Sequence, residues 1–168
     1  MTAMYEIEVQ NEADYPVDHD RLRMAAVCVL ARAEAGEDSE LTIVLTDDEQ
    51  VTALNRQFRG IESPTDVLSF PGAPPPPGTP ASAPYLGDLI IAFPYASAQA
   101  EAHRHPLNDS LALLVVHGVL HLLGYDHDTL ARRAQMWAEQ AAALETLGIA
   151  LDLVPTLELA PDHHDEQS

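Results

Sequence analysis

Apolar and polar residues alternate along Met4-Tyr-Glu-Ile-Glu-Val9, the period-two mark of a strand with one face buried and one wet. From Asp18 the period lengthens, and Leu22, Ala25, Ala26, Val29, Leu30 and Ala33 fall on one face of a helix to about Ala35 that stops at Gly36. Leu41-Thr-Ile-Val-Leu45 predicts a second strand. It leads into Thr46-Asp-Asp-Glu49, a capping-box signature for a helix to about Phe58 with Val51, Leu54, Asn55 and Phe58 on one side. Short strands are expected over Asp66–Phe70, stopped by Pro71, and over Leu86–Phe93. Pro94 then opens a helix to about Arg104. The next helix carries Leu111-Ala-Leu-Leu-Val-Val116 and Leu122-Leu123; it is apolar nearly all round, which predicts burial, and Asn108 or Asp109 is its expected N-cap. Asp128 or Thr129 caps a last helix to about Leu147, closed by Gly148, with Met136, Ala141 and Leu144 among its inward residues. There is no regular βαβ repeat. The expectation is a single α+β domain, a small mixed sheet of about four strands covered by helices, one of them bearing histidines.

Composition changes that picture in two places. Residues 71–84, Pro-Gly-Ala-Pro-Pro-Pro-Pro-Gly-Thr-Pro-Ala-Ser-Ala-Pro, are half proline and read as an exposed polyproline-like loop, a spacer rather than a signalling ligand because no basic anchor flanks it. From residue 155 the chain carries Glu158, Asp162, Asp165 and Glu166 around His163-His164, an acidic and flexible tail by composition. The domain is therefore expected over residues 1–154 and the tail over 155–168, with no internal repeat and no second domain.

The formal net charge is −19, from 27 acids against 8 bases, all of the bases arginine. Such a balance disfavours unspecific grip on a phosphate backbone, so any nucleic-acid role needs a local arginine patch. The lone Cys28, set in Val27-Cys28-Val29-Leu30, reads as a small core residue in a reducing compartment. No basic segment with an apolar core opens the sequence, and no run reaches the roughly 18–20 apolar residues of a membrane span, so neither export nor insertion is expected.

The candidate chemistry is concentrated in Val116-His117-Gly-Val-Leu-His121-Leu-Leu-Gly124-Tyr-Asp-His127. At about 3.6 residues per turn, His117 and His121 stack on one helix face about 5–6 Å apart, close enough to share one ion. Gly124 can take positive φ, end the helix, and let the backbone bring His127 back to the same place. Three neutral imidazoles suit zinc, and three protein ligands with an open fourth position mark a catalytic rather than a structural site. The same spacing occurs in metzincin proteases, but those carry Glu after the first His, and this chain has Gly118. Asp126 is the nearest acid that can substitute, or equally a turn former or a brace for the ligands. His103 and His105, flanking Arg104 at a polar helix end, read as solvated residues.

Together with Leu54-Asn55-x-x-Phe58-Arg59-Gly60, Pro64-Thr-Asp-Val-Leu-Ser-Phe-Pro71 and Leu86-Gly-Asp-Leu89, the histidine run resembles the YbeY family of bacterial rRNA maturation factors over residues 40–147. The resemblance implies a single-strand-specific endoribonuclease on an α+β fold, and the reducing setting read from Cys28 fits a cytoplasmic one. It implies one zinc ion held by His117, His121 and His127, with Arg59 as the functional arginine at the mouth of the cleft. It also implies maturation of the 3′ end of 16S rRNA, ribosome quality control, and association with the small subunit and its assembly proteins. Arg59 suits that place, because phosphoryl transfer puts charge on non-bridging oxygens that a guanidinium fork can hold; its plainer reading is a cation complementing a helix C-terminus. Thr65–Phe70 and Asp88 either line the site or pair and cap. The other readings are a non-catalytic assembly factor in which zinc staples the fold, and a zinc protease.

Overall fold

Four strands form one sheet: β1 (Glu6–Gln10), β2 (Glu40–Thr46), β3 (Val67–Pro71) and β4 (Tyr85–Ala92), in the order β1-β2-β4-β3. The computed structural model describes residues 5–36, 38–72, 77–78 and 85–150; most of the proline-rich stretch and the acidic tail lie outside them. β1, β2 and β4 run parallel, with Ile7 beside Leu41 and Ile43 beside Leu89. β3 is the antiparallel edge strand, with Ser69 beside Leu89 and Phe70 beside Asp88. Five helices complete the described chain: α1 (His19–Arg32), α2 (Asp48–Arg59), α3 (Phe93–Ala102), α4 (Leu107–Leu122) and α5 (Leu130–Leu147). The mixed sheet and five helices make one α+β domain, as the residue pattern predicts.

The two sheet faces are covered unequally. Leu41, Ile43, Leu45, Leu89, Ile91 and Val67 join the apolar faces of α1 and α4 in the main core, with α5 behind them through Met136, Ala143 and Leu144. The opposite face carries a smaller cluster in which α2 sets Val51 and Leu54 against Leu68, Phe70, Ile90 and Ala92. Every residue from Leu111 to Leu120 is buried, so the expected burial of α4 holds. Among the described residues no helix is long and apolar enough to cross a membrane.

Several local expectations shift for identifiable reasons. α1 ends at Arg32 rather than near Gly36: Glu34 takes φ 54°, and Ala35 N–H closes on Leu30 C=O, leaving Ala33 as an exposed C-cap rather than a core residue. Asp47, not Thr46, caps α2 by accepting from Gln50 N at 2.8 Å, while Asp48 accepts from Tyr95 N and ties α2 to the start of α3. α4 begins at Pro106 with no side-chain cap. The two expected caps are spent on α1 instead: Asn108 accepts from Asp18 N, and Asp109 pairs with Arg21. On α5, Ala143 rather than Ala141 is the buried alanine, whereas Thr129 caps the helix as expected, accepting from Arg132 N, and Gly148 closes it at φ 74°.

Candidate metal centre

α4 carries its histidines in its last two turns, where the helix is still enclosed by core. His117 is 1% exposed, and His121, one turn later, is half-buried. The helix then stops in a left-handed turn: Gly124 adopts φ 99°, its N–H bonds His121 C=O, and Tyr125 N–H closes on Leu120 C=O. That reversal returns His127 to the cluster, where it is 6% exposed. Asp126 accepts the His127 N–H at 2.7 Å, so its carboxylate is occupied in shaping the turn.

One ligand nitrogen from each of His117, His121 and His127 lies within 4.8 Å of the others. The Nε2 atoms of His117 and His121 stand 3.1 Å apart. Two nitrogens each about 2.0–2.1 Å from one tetrahedral zinc would be about 3.3 Å apart, so the spacing fits an ion between them. The donor set, three imidazoles with no fourth side-chain ligand among the described residues, suits zinc with an open position.

Gly118 explains what the site lacks. A Cβ there would stand 2.7 Å from Leu89 Cδ2, so position 118 faces the sheet and not the open side of the histidines. A glutamate base in the metzincin manner has no room at that position. On the same strip of contact, Ser69 Oγ donates to Gly118 C=O at 3.4 Å, fixing edge strand β3 against α4.

The structure brings the three histidines together; Arg59 is the last residue of α2, half-buried, with Nε and Nη1 enclosed. Arg56 shares that last turn and is exposed. Asp66 accepts from Val67 N, and Asp88 accepts from the Tyr85 hydroxyl, which also bonds Thr42 Oγ1. His103 and His105 stack with each other, 6.0 Å between centroids, and stand outside the cluster. The sequence reading missed two neighbours on α5. Trp137 packs edge-on to His117 and His127, 5.8 Å between centroids in each case, and Gln140 Oε1 sits 3.0 Å from His117 Nδ1. The available signal was a glutamine on the inward stripe of α5, one turn from Met136 and one from Leu144.

The sequence profile described as Endoribonuclease YbeY matches residues 6–148. The chain belongs to that family. An endoribonuclease YbeY of Moorella thermoacetica is 44% identical over 86% of this chain and 98% of its own, and one of Brevibacillus brevis is 36% identical over 87% and 99%. The solution structure of TM1509 from Thermotoga maritima shares the fold at TM-score 0.58, 23% identity, covering 94% of this chain and 98% of that one. In this YbeY-family chain the histidine cluster, the α2 end with Arg59, and the β3–α4 contact all fall inside the matched span.

Proposed function

We propose that this YbeY-family chain is a zinc-dependent endoribonuclease that cuts single-stranded RNA, matures the 3′ end of 16S rRNA and serves ribosome quality control in the cytoplasm. The observation that carries the reading is the convergence of three imidazole nitrogens, two from one buried helix and one from the turn that ends it. Bound there, zinc would supply Lewis-acid polarisation and an acidified water. The chain's own groups do the rest. The helix and the Gly124 turn hold the imidazoles rigidly, and the Arg59 guanidinium takes two non-bridging phosphate oxygens and stabilises charge built up in transfer.

Single-strand preference is supported by Phe58, the neighbour of Arg59. It is 58% exposed, edge-on to Phe70 with centroids 5.2 Å apart, and offers a ring face that an unpaired base can stack on. The −19 charge argues against unaided grip on RNA. Binding therefore rests on Arg56, Arg59 and Arg104 as local cations and on the small subunit and its assembly proteins to present the strand. No observation favours the protease: position 118 carries no base, and Asp126, the nearest other acid, accepts the His127 N–H.

The test is cleavage of a defined single-stranded RNA by wild type, His117→Ala and Arg59→Glu, with bound metal quantified in each. Wild type cuts; His117→Ala loses metal and cutting; Arg59→Glu keeps metal and loses cutting. Activity surviving in both folded variants would refute the assignment. A 2′,3′-cyclic phosphate on the product would identify the RNA 2′-hydroxyl as the attacking group and exclude direct attack by water.

A further inference from the structure

We infer that Gln140 is a positioning residue of the metal centre, its Oε1 accepting the Nδ1–H of His117 and so keeping His117 Nε2 as the lone pair offered to the ion; this rests on the metal reading above. Gln140 is 0% exposed, on the α5 stripe with Met136, Ala143 and Leu144, and its Oε1 lies 3.0 Å from His117 Nδ1.

The tautomer follows from the cluster. His117 presents Nε2 toward His121 Nε2 at 3.1 Å, so that nitrogen must be bare to ligate. A neutral imidazole with bare Nε2 carries its proton on Nδ1, and a buried N–H needs an acceptor. The amide must then turn its oxygen to the ring. A flipped amide would donate to Nδ1, move the proton to Nε2 and remove the ligand.

That orientation has a consequence for the fold. The amide nitrogen Nε2 of Gln140 is buried without a hydrogen-bond partner among the described residues, a destabilising arrangement that an apolar side chain of the same length would avoid. Polarity at position 140 therefore works against stability and for the ring. Packing alone would favour Met there, as at position 136 one turn earlier.

The experiment uses Zn2+ alone, titrated into metal-free full-length protein against a chromophoric chelator, with Gln140→Met, Gln140→Glu and wild type in parallel. Gln140→Met binds zinc about 10–100-fold more weakly, the usual cost of removing a partner behind a ligating histidine. Its metal-free form melts no lower than wild type. Gln140→Glu, which keeps the acceptor, binds at least as tightly as wild type. Imidazole 15N shifts of the metal-free proteins add a readout that wild type alone can fail: His117 is Nδ1-protonated in wild type, and mixed in Gln140→Met. Unchanged zinc affinity in folded Gln140→Met, loss of affinity in step with a lower melting temperature, or an Nε2-protonated His117 in wild type each overturns the inference. Wild type that fails to bind zinc overturns the metal reading itself.

Discussion

Gly118 Cα lies against Leu89, so close that a Cβ would meet Leu89 Cδ2 at 2.7 Å and Cδ1 at 3.1 Å. Leu89 is itself fully buried, pinned between β2 and β3 in the sheet, so it has little freedom to yield. The absence of a side chain after the first histidine is thus what seats α4 on the sheet.

Gly118→Ala sets two effects against each other. Alanine gains about 1 kcal/mol of helix propensity, while overpacking a closed core costs about 1–3 kcal/mol. The contact is short enough for overpacking to prevail, and urea unfolding should show a net loss of about 1 kcal/mol. In a Leu89→Ala background the clash is gone, and the same substitution should become stabilising. Additive effects across the four proteins would refute the contact.

Trp137, the single tryptophan of the chain, is an edge-on neighbour of both His117 and His127. Its fluorescence should therefore report loading. Co2+ added to metal-free protein should quench it at one equivalent, excess Zn2+ should restore it, and His121→Ala should abolish the saturable response. Quenching that needs many equivalents would point to unspecific binding away from the three histidines.

Alkaline stability follows from three groups whose ordinary pKa values are raised. Burial raises Cys28 despite nearby Arg32; burial and then the bond to Asp88 raise Tyr85; burial and then Asp47 and Asp48 raise Tyr15. Each group holds its proton more tightly folded than unfolded, so the native state binds more protons and stability falls as pH rises. The loss begins above about pH 8.5 for the thiol and about pH 10 for the phenols. Tyr85→Phe should flatten the melting-temperature decline above pH 10, and Cys28→Ala the part between pH 8.5 and 10. Unchanged slopes would show that other groups govern it.

What the sequence disclosed and what it hid divide along a physical line. Local periodicity and one left-handed glycine were enough to place His117, His121 and His127, because a helix and its terminating turn are short-range structures. Sheet order needed pairing between residues far apart, such as Ile43 with Leu89, which no local pattern encodes. Asn108 and Asp109 looked like caps because Asn and Asp usually are; a partner ninety residues upstream in Asp18, and Arg21 beside it, took them instead. Gln140 was hidden for the same reason: its meaning lies in His117, 23 residues away on another helix.

Arg59 offers the sharpest division between binding charge and shaping chemistry. It ends α2, which packs on the sheet face opposite α4, and it is not one of the three imidazole ligands, so its loss should leave metal content untouched. Arg59→Lys keeps the charge but not the planar fork, and Arg59→Glu inverts the charge. If the fork stabilises the transferring phosphate, Arg59→Lys should lower kcat by about 10²–10³-fold, the scale of losing one aimed donor in a transition state. KM should change little. A plain helix-end cation predicts the reverse: Lys would serve as well as Arg, and only a small loss of stability would accompany Arg59→Glu. Steady-state cleavage of a fluorogenic single-stranded RNA, with zinc content and melting temperature measured on the same samples, decides between them. Full activity in Arg59→Lys would remove Arg59 from the reaction and leave it a structural cation.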